Sequence, residues 1–260
     1  MAQLFAKTLL PEVRDHLEMT GHLGDGTLSE RTGAVVRSLA RHDEMRSLID
    51  HIVSDDDQLA EIAARSYYHA NSFLKLVLAV GSENAWKLRL HVWHPQSEAD
   101  RPPREDIHSH RWDFTTALLL GEYNAREYMI APGDEYHHYK YTPVRADQFF
   151  SLESMGTDQL AQVFESNLQA GTVYHLDHRV LHSIARSHDG PTATVVLQGP
   201  TVRSSTNVYR TTPVGEKGGV RGIEKGGDRE IEKAGDQEIY VERPSVEQLR
   251  AELIQLHGWL

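Results

Sequence analysis

The chain has 260 residues, 39% of them hydrophobic, with 27 lysines and arginines against 38 aspartates and glutamates and a net charge of −11. That length suits one large β domain with helical additions, or two small domains, and the acidic balance argues against nonspecific nucleic-acid or anionic-membrane binding. The absence of cysteine rules out disulfides, thiolate metal ligands and cysteine nucleophiles.

Met1 to Leu10 lacks the long apolar centre of a secretory signal. No apolar run approaches the roughly 20 residues that span a bilayer, so a cytoplasmic location is the expectation. Pro11 suits a first helical turn and Gly21 a stop, with Val13 and Leu17 on one face. Ser29 reads as an N-cap ahead of Val35, Val36 and Leu39. Met45, Leu48, Ile49 and Ile52 repeat at helical spacing, as do Leu59, Ile62 and Ala63 after the acidic Asp55-Asp56-Asp57. Residues 1–70 therefore read as a helical extension whose apolar positions serve packing.

Phe73 to Val80 is a dense apolar run, and Trp86 to Trp93 alternates apolar with polar side chains, a strand pattern. A loop with Pro95, Pro102 and Pro103 leads to Asp106-Ile107-His108-Ser109-His110. A β stretch from Thr115 to Ile130, interrupted at Gly121, runs to a turn at Pro132-Gly133-Asp134 and an aromatic, loop-like Tyr136–Tyr141. Further strands are expected at Gln148–Leu152, Ala161–Glu165, Thr172–Leu176, Val180–Ile184 and Ala193–Leu197. Many short strands indicate a sandwich or barrel over residues 71–212. Residues 213–243 contain the near-repeats of Val214–Gly235 and read as a flexible charged loop without chemistry. In 244–260, Pro244 and a Ser245/Gln248 capping box open a last helix. Its stripe Val246, Leu249, Leu253 and Leu256 is expected to dock on the β core or on a second subunit of a homodimer.

Alternate strand residues share a face, so His108 and His110 aim at one point, and neutral imidazole is the commonest protein metal ligand. A second histidine-rich stretch, His175 to Ile184, offers His175, His178 and His182 as a third ligand. His178 and His182 lie about 13 Å apart along a regular strand at roughly 3.3 Å per residue, so both cannot readily bind one ion. His91, His94, His137 and His138 read as strand, rim or surface residues.

His108-x-His110 with Gly121, then Gly171 and His182, resembles the two metal motifs of the cupin superfamily, small double-stranded β-helix (jelly-roll) barrels that often hold a metal. The resemblance covers roughly Ala85 to Tyr209. It is closer to bacterial cupin-like proteins of mostly unassigned function, whose pattern matches Trp112, Phe114, Tyr123, Leu197, Gly199, Pro200 and Arg203. Alignment of Asp189-Gly190-Pro191 and Thr194–Leu197 with that pattern selects His182 as third ligand, with His178 as runner-up. Where many cupins carry a glutamate ligand, this chain has Phe114 and Thr115. The remaining three histidines resemble those of thiol dioxygenases such as cysteine dioxygenase. Gln198 stands where that enzyme has a tyrosine, and its substrate arginine has no clear match.

The resemblance implies an Fe(2+) site, with Zn, Mn or Ni as alternatives, and an oxygenase that takes a small polar metabolite and dioxygen. The alternatives are a non-redox metal-dependent isomerase or lyase, and a non-catalytic ligand-binding barrel. Around the metal ligands His108, His110 and His182, the expected catalytic groups are Asp106, Gln198 and Arg203. Asp106 is placed to orient a ligand histidine or act as base. Trp112, Phe114 and Arg89 are the expected substrate-binding residues; Arg111 and Arg126 are further candidates for a substrate carboxylate.

Overall fold

The structure is a computed structural model that describes residues 28–69, 72–81, 86–96, 105–144, 149–214 and 242–260. The expected helix between Pro11 and Gly21, Pro102 and Pro103, and the charged repeats beyond Val214 lie outside the described residues.

Among the described residues, three helices precede the sheets: α1 (Leu28–Leu39), α2 (His42–Val53) and α3 (Asp56–Arg65). Helix α1 already includes Ser29, which therefore lies inside it rather than capping it. At α3, the Asp55 carboxylate accepts from the Gln58 amide at 3.0 Å, satisfying one of the unpaired donors at a helix start. A fourth helix, α4 (Val246–Trp259), carries the full capping box: Ser245 Oγ accepts from Gln248 N and Gln248 Oε1 from Ser245 N. Helix α4 buries Leu249, Leu253 and Leu256 against α2 and α3. It reaches the first sheet at its C-terminal end, where the Leu260 carbonyl meets His42 Nδ1 and His42 Nε2 meets the Leu119 carbonyl, and at mid-helix, where Glu252 meets Tyr68 and His94.

Among the described residues, eleven strands follow α3: β1 (Tyr67–His69), β2 (Phe73–Val80), β3 (Lys87–Trp93), β4 (Ile107–His108), β5 (Phe114–Leu120), β6 (Glu122–Val144), β7 (Phe149–Gln169), β8 (Val173–Leu176), β9 (Leu181–Arg186), β10 (Thr192–Gln198) and β11 (Thr206–Arg210). They form two antiparallel sheets, in the orders β1-β2-β3-β10-β5-β8 and β11-β4-β9-β6-β7. The antiparallel pairs β6–β7, β5–β8, β4–β9 and β3–β10 are nested one inside the next, as in a long hairpin rolled up on itself. That is the jelly-roll, or double-stranded β-helix, topology, with a helical layer over its first sheet.

The turn expected at Pro132-Gly133-Asp134 is a bulge inside β6. Ile130 and Asp134 both pair with Leu160, leaving three residues looped out. Proline lacks the ladder donor and is tolerated at a bulge, where Gly133 brings its backbone against that of Leu160. The aromatic Tyr136–Tyr141 segment is therefore strand, not loop. The two strands expected at Gln148–Leu152 and Ala161–Glu165 are parts of the single strand β7. The bend lets the far half of β6 pair with β11, enclosing a small core of Ile107, Tyr128, Tyr136, Leu160, Leu181 and Tyr209. At the β5–β6 corner, Gly121 has φ +77, and a side chain there would meet the Pro191 carbonyl at 2.6 Å.

The first sheet is buried on both faces. Leu76, Leu88, Leu90, Ala117, Val195 and Leu197 point outward into the helical layer. Their neighbours in sequence, including Lys75, Arg89, Phe114, Thr116, Thr194 and Gln198, point inward, into the barrel.

Candidate metal centre

The second sheet presents the histidines to the barrel interior. His108 on β4 lies directly opposite His182 on β9. His110 follows just past the end of β4, where its path is fixed by four hydrogen bonds. Its amide donates to the His178 carbonyl at 3.1 Å, the Arg203 Nε donates to its carbonyl at 2.7 Å, and buried Ser109 bonds Asn207 through both its amide and its hydroxyl. The three histidines each bring a ring nitrogen within 4.8 Å of the others. Their ring centroids are 4.6–4.9 Å apart, and His110 Nε2 faces His182 Nε2 at 2.7 Å. His108 Nδ1–H donates to the Asp106 carbonyl at 2.9 Å, leaving Nε2 as its lone-pair nitrogen.

Burial holds all three imidazoles below the ordinary histidine range, His110 and His182 far below it. Neighbouring cations push the same way: Lys75 acts on His108 and His110, and Arg89 on His110. Neutral, convergent imidazole lone pairs are the form that binds a divalent ion.

The structure brings His182 to the pair and leaves the other candidates elsewhere. Both His178 N and His178 Nδ1 bond the Asp113 carboxylate at 2.7 Å. With Asp177 these two residues form a second His/Asp group. Its carboxylates are already engaged, Asp113 by His178 and Asp177 by Arg179. His175 faces the helices, where it meets Thr115 Oγ1 at 2.9 Å, and that hydroxyl in turn meets Thr32 Oγ1 at 2.6 Å. His138 stacks on Tyr209 and pairs with Asp158, and His94 pairs with Glu252.

Phe114 packs edge-on against His110 with centroids 4.9 Å apart, and Trp112 lies 5.5 Å from it. The Arg89 and Arg111 guanidiniums each sit 5.2 Å from the Trp112 ring centre. Buried Gln198 is the β10 residue paired with Phe114, and its Oε1 has no hydrogen-bond partner among the described residues.

One expected role changes. Asp106 orients His108 through its carbonyl; its carboxylate pairs with Arg210 Nε at 3.1 Å, so the orienting group is not the expected side chain. Arg203 is spent on the His110 and His178 carbonyls. Those two bonds fix the backbone of His110 beside the other two histidines. Sequence reading also missed Lys75, His69 and Thr194. Lys75 interrupts the apolar Phe73–Val80 run, and an isolated lysine in such a run was the available signal that its second face is not plain core.

No protein-family model matches the chain, and no curated protein sequence does. Solved structures do. The Drosophila melanogaster CENP-C cupin domain matches at 10% identity and TM-score 0.32, over 51% of this chain and 74% of that one. An RmlC-like cupin family protein with a double-stranded β-helix fold from Methanocaldococcus jannaschii matches at 10% identity and TM-score 0.30, over 51% and 84%. Hydroxypropylphosphonic acid epoxidase from S. wedmorenis, in complex with fosfomycin, matches at 11% identity and TM-score 0.30; this chain spans about half of its length, 50%, with 49% of its own. Likenesses this distant transfer neither activity nor ligand to this chain. Among the described residues, no helix is long and apolar enough to cross a membrane.

Proposed function

We propose that the chain is a metal-dependent enzyme of the oxygenase type, acting on a small polar metabolite inside the barrel. The observation that carries this reading is the convergence of His108, His110 and His182, the first two half-buried and the last buried, as neutral imidazoles within 4.8 Å of one another. The donor set fits a first-row divalent ion, because imidazole suits iron, zinc and nickel and three ligands leave positions open. A bound Fe(2+) would supply open positions for substrate and dioxygen and would pass to dioxygen the electrons that the oxidised substrate gives up.

The chain's own residues supply the rest. The Asp106 carbonyl and Arg203 hold the ligand histidines in orientation. Phe114 and Trp112 wall the site beside His110. Gln198 presents a neutral acceptor that can take a hydrogen bond from the substrate without removing its proton.

The test is metal analysis of protein purified without chelator, followed by a substrate screen that records oxygen consumption after loading with iron or with zinc. The reading expects near-stoichiometric metal and oxygen uptake with iron alone. Turnover without oxygen, supported by zinc or manganese, would identify the non-redox isomerase or lyase chemistry instead. Failure to take up any metal would leave a ligand-binding barrel.

A further inference from the structure

The inner face of the first sheet carries polar groups that the three histidines do not use. One row across β2, β3 and β10 is Lys75, His91 and Thr194, paired strand to strand in register. Lys75 is 8% exposed and Thr194 2%. His91 Nε2 and Thr194 Oγ1 are buried with no hydrogen-bond partner among the described residues, as is Gln198 Oε1 further along β10. Buried polar atoms are nearly always hydrogen-bonded, so three such atoms on one interior face call for an account. Arg89 lies two residues from His91 on the same face of β3, 7% exposed.

The charges are not isolated from the histidines. Lys75 lowers the proton affinity of His69, His91, His108 and His110, so its ammonium stands within electrostatic reach of the metal ligands. Its own surroundings are aromatic as well as polar: the Tyr67 and Phe73 ring centres lie 5.3 and 5.5 Å away, and the Tyr67 hydroxyl hydrogen-bonds it. Glu105 also acts on Lys75, and on the buried Tyr123–Tyr174 hydroxyl pair. An ammonium, a hydroxyl and an imidazole in one buried row, next to a guanidinium, are the donors that an oxyanion takes.

We propose that Lys75, His91 and Thr194, flanked by Arg89, form an oxyanion subsite for the acidic end of a small organic acid whose other end reaches the three histidines. The substrate class is then a carboxylate, or a sulfonate or phosphonate of similar size, bearing a hydroxyl or amino donor for Gln198. This rests in part on the metal-dependent reading above and names the substrate class for that same chamber.

Malonate and inorganic sulfate are the probes, titrated by calorimetry into metal-stripped and zinc-loaded full-length protein. The expected result is saturable binding of at least one probe, weakened about tenfold or more by Lys75→Met, as loss of a charge-assisted bond implies. Thr194→Val should weaken it several-fold, and Lys75→Arg should keep most of it, with metal content unchanged throughout. The tighter probe tells a planar carboxylate from a tetrahedral anion. Binding that survives Lys75→Met and Thr194→Val in natively folded protein would overturn the subsite, because the anion would then sit on the metal or elsewhere. Absence of saturable binding in both metal states would overturn it too. If Lys75→Met fails to unfold cooperatively, Thr194→Val alone decides. A chain that takes up no metal but shows Lys75-dependent anion binding would sink the metal-dependent reading and leave the subsite standing.

Discussion

The two faces of the first sheet's central strands are both largely buried and chemically opposite. Outward, β2, β3, β5 and β10 offer Leu76, Leu88, Leu90, Ala117, Val195 and Leu197 to the helical layer. Inward, the same strands offer Lys75, Arg89, His91, Thr116, Thr194 and Gln198. Burial alone therefore does not separate packing from function. What separates them is polar satisfaction. The outer face has little to satisfy, whereas the inner face keeps His91 Nε2, Thr194 Oγ1 and Gln198 Oε1 buried and without hydrogen-bond partners among the described residues. A chain selected only for stability would replace such atoms by apolar ones at little cost.

The largest effects should come from the chamber and fall on metal, not on fold. His108→Ala or His110→Ala should abolish metal binding, because the two remaining imidazoles hold a divalent ion poorly, while circular dichroism stays native. His182→Ala should do the same. His178→Ala should retain metal, since His178 is bonded to Asp113. Metal content by elemental analysis checks all four. Full occupancy in a His108 or His110 variant would remove the metal assignment, and loss confined to the His178 variant would move the third ligand.

The outer face should behave in the opposite way. Leu90 is 0% exposed and packs under the helices. Leu90→Ala should cost about 2–5 kcal/mol of stability by loss of transfer energy and cavity formation, read from urea unfolding, with metal still bound by the folded fraction. A change well below 1 kcal/mol would mean that the helical layer is not packed on this sheet as a core.

The legibility of the two faces differed in the same sense. Alternation in Trp86–Trp93 and the His108-x-His110 spacing put the strands and two of the three clustered histidines in plain view, because a strand's period of two is written directly in sequence. His182 needed an alignment to a known pattern, since His175, His178 and His182 differ only in which partner each meets across the barrel: Thr115, Asp113 or His108. The Pro132-Gly133-Asp134 signal was misread as a turn because a bulge and a turn use the same residue types; only pairing with Leu160 tells them apart. The two carbonyls that the Arg203 guanidinium bonds are likewise invisible in sequence, because both come from segments distant along the chain.

The faces should also differ in their response to pH. His69 and His91, on or beside the inner face, are held far below the ordinary histidine range, first by burial and then by Lys75. Their folded forms stay neutral while the unfolded chain takes up protons as pH falls through about 6.5. Stability is therefore full above that value and declines below it, by up to about 1.4 kcal/mol per pH unit for each such histidine. The ligand histidines act in the same direction. Urea midpoints of metal-free protein at pH about 7.5 and about 5.5 measure the loss. Equal midpoints would show that these imidazoles protonate within the fold, and the chamber would then be wet rather than dry.

The smallest effect is the most discriminating, because it is predicted by sign. Thr116 and Thr194 are each 2% exposed and both point into the barrel from neighbouring strands. They differ in one respect: Thr116 Oγ1 donates to the Val195 carbonyl at 3.1 Å, whereas Thr194 Oγ1 has no partner among the described residues. Valine replaces the hydroxyl by a methyl of nearly the same shape. Thr116→Val therefore breaks a made hydrogen bond and should destabilise by about 1 kcal/mol. Thr194→Val removes a buried hydroxyl that gains nothing in the ligand-free protein, and should be neutral or stabilising by up to about 1 kcal/mol. The same substitution should weaken malonate or sulfate binding, so stability and ligand affinity move in opposite directions at one residue. Parallel urea curves for the two variants decide it. If both lose stability alike, the Thr194 hydroxyl is already satisfied in the free protein, by ordered water for instance, and its place in an anion subsite loses its support.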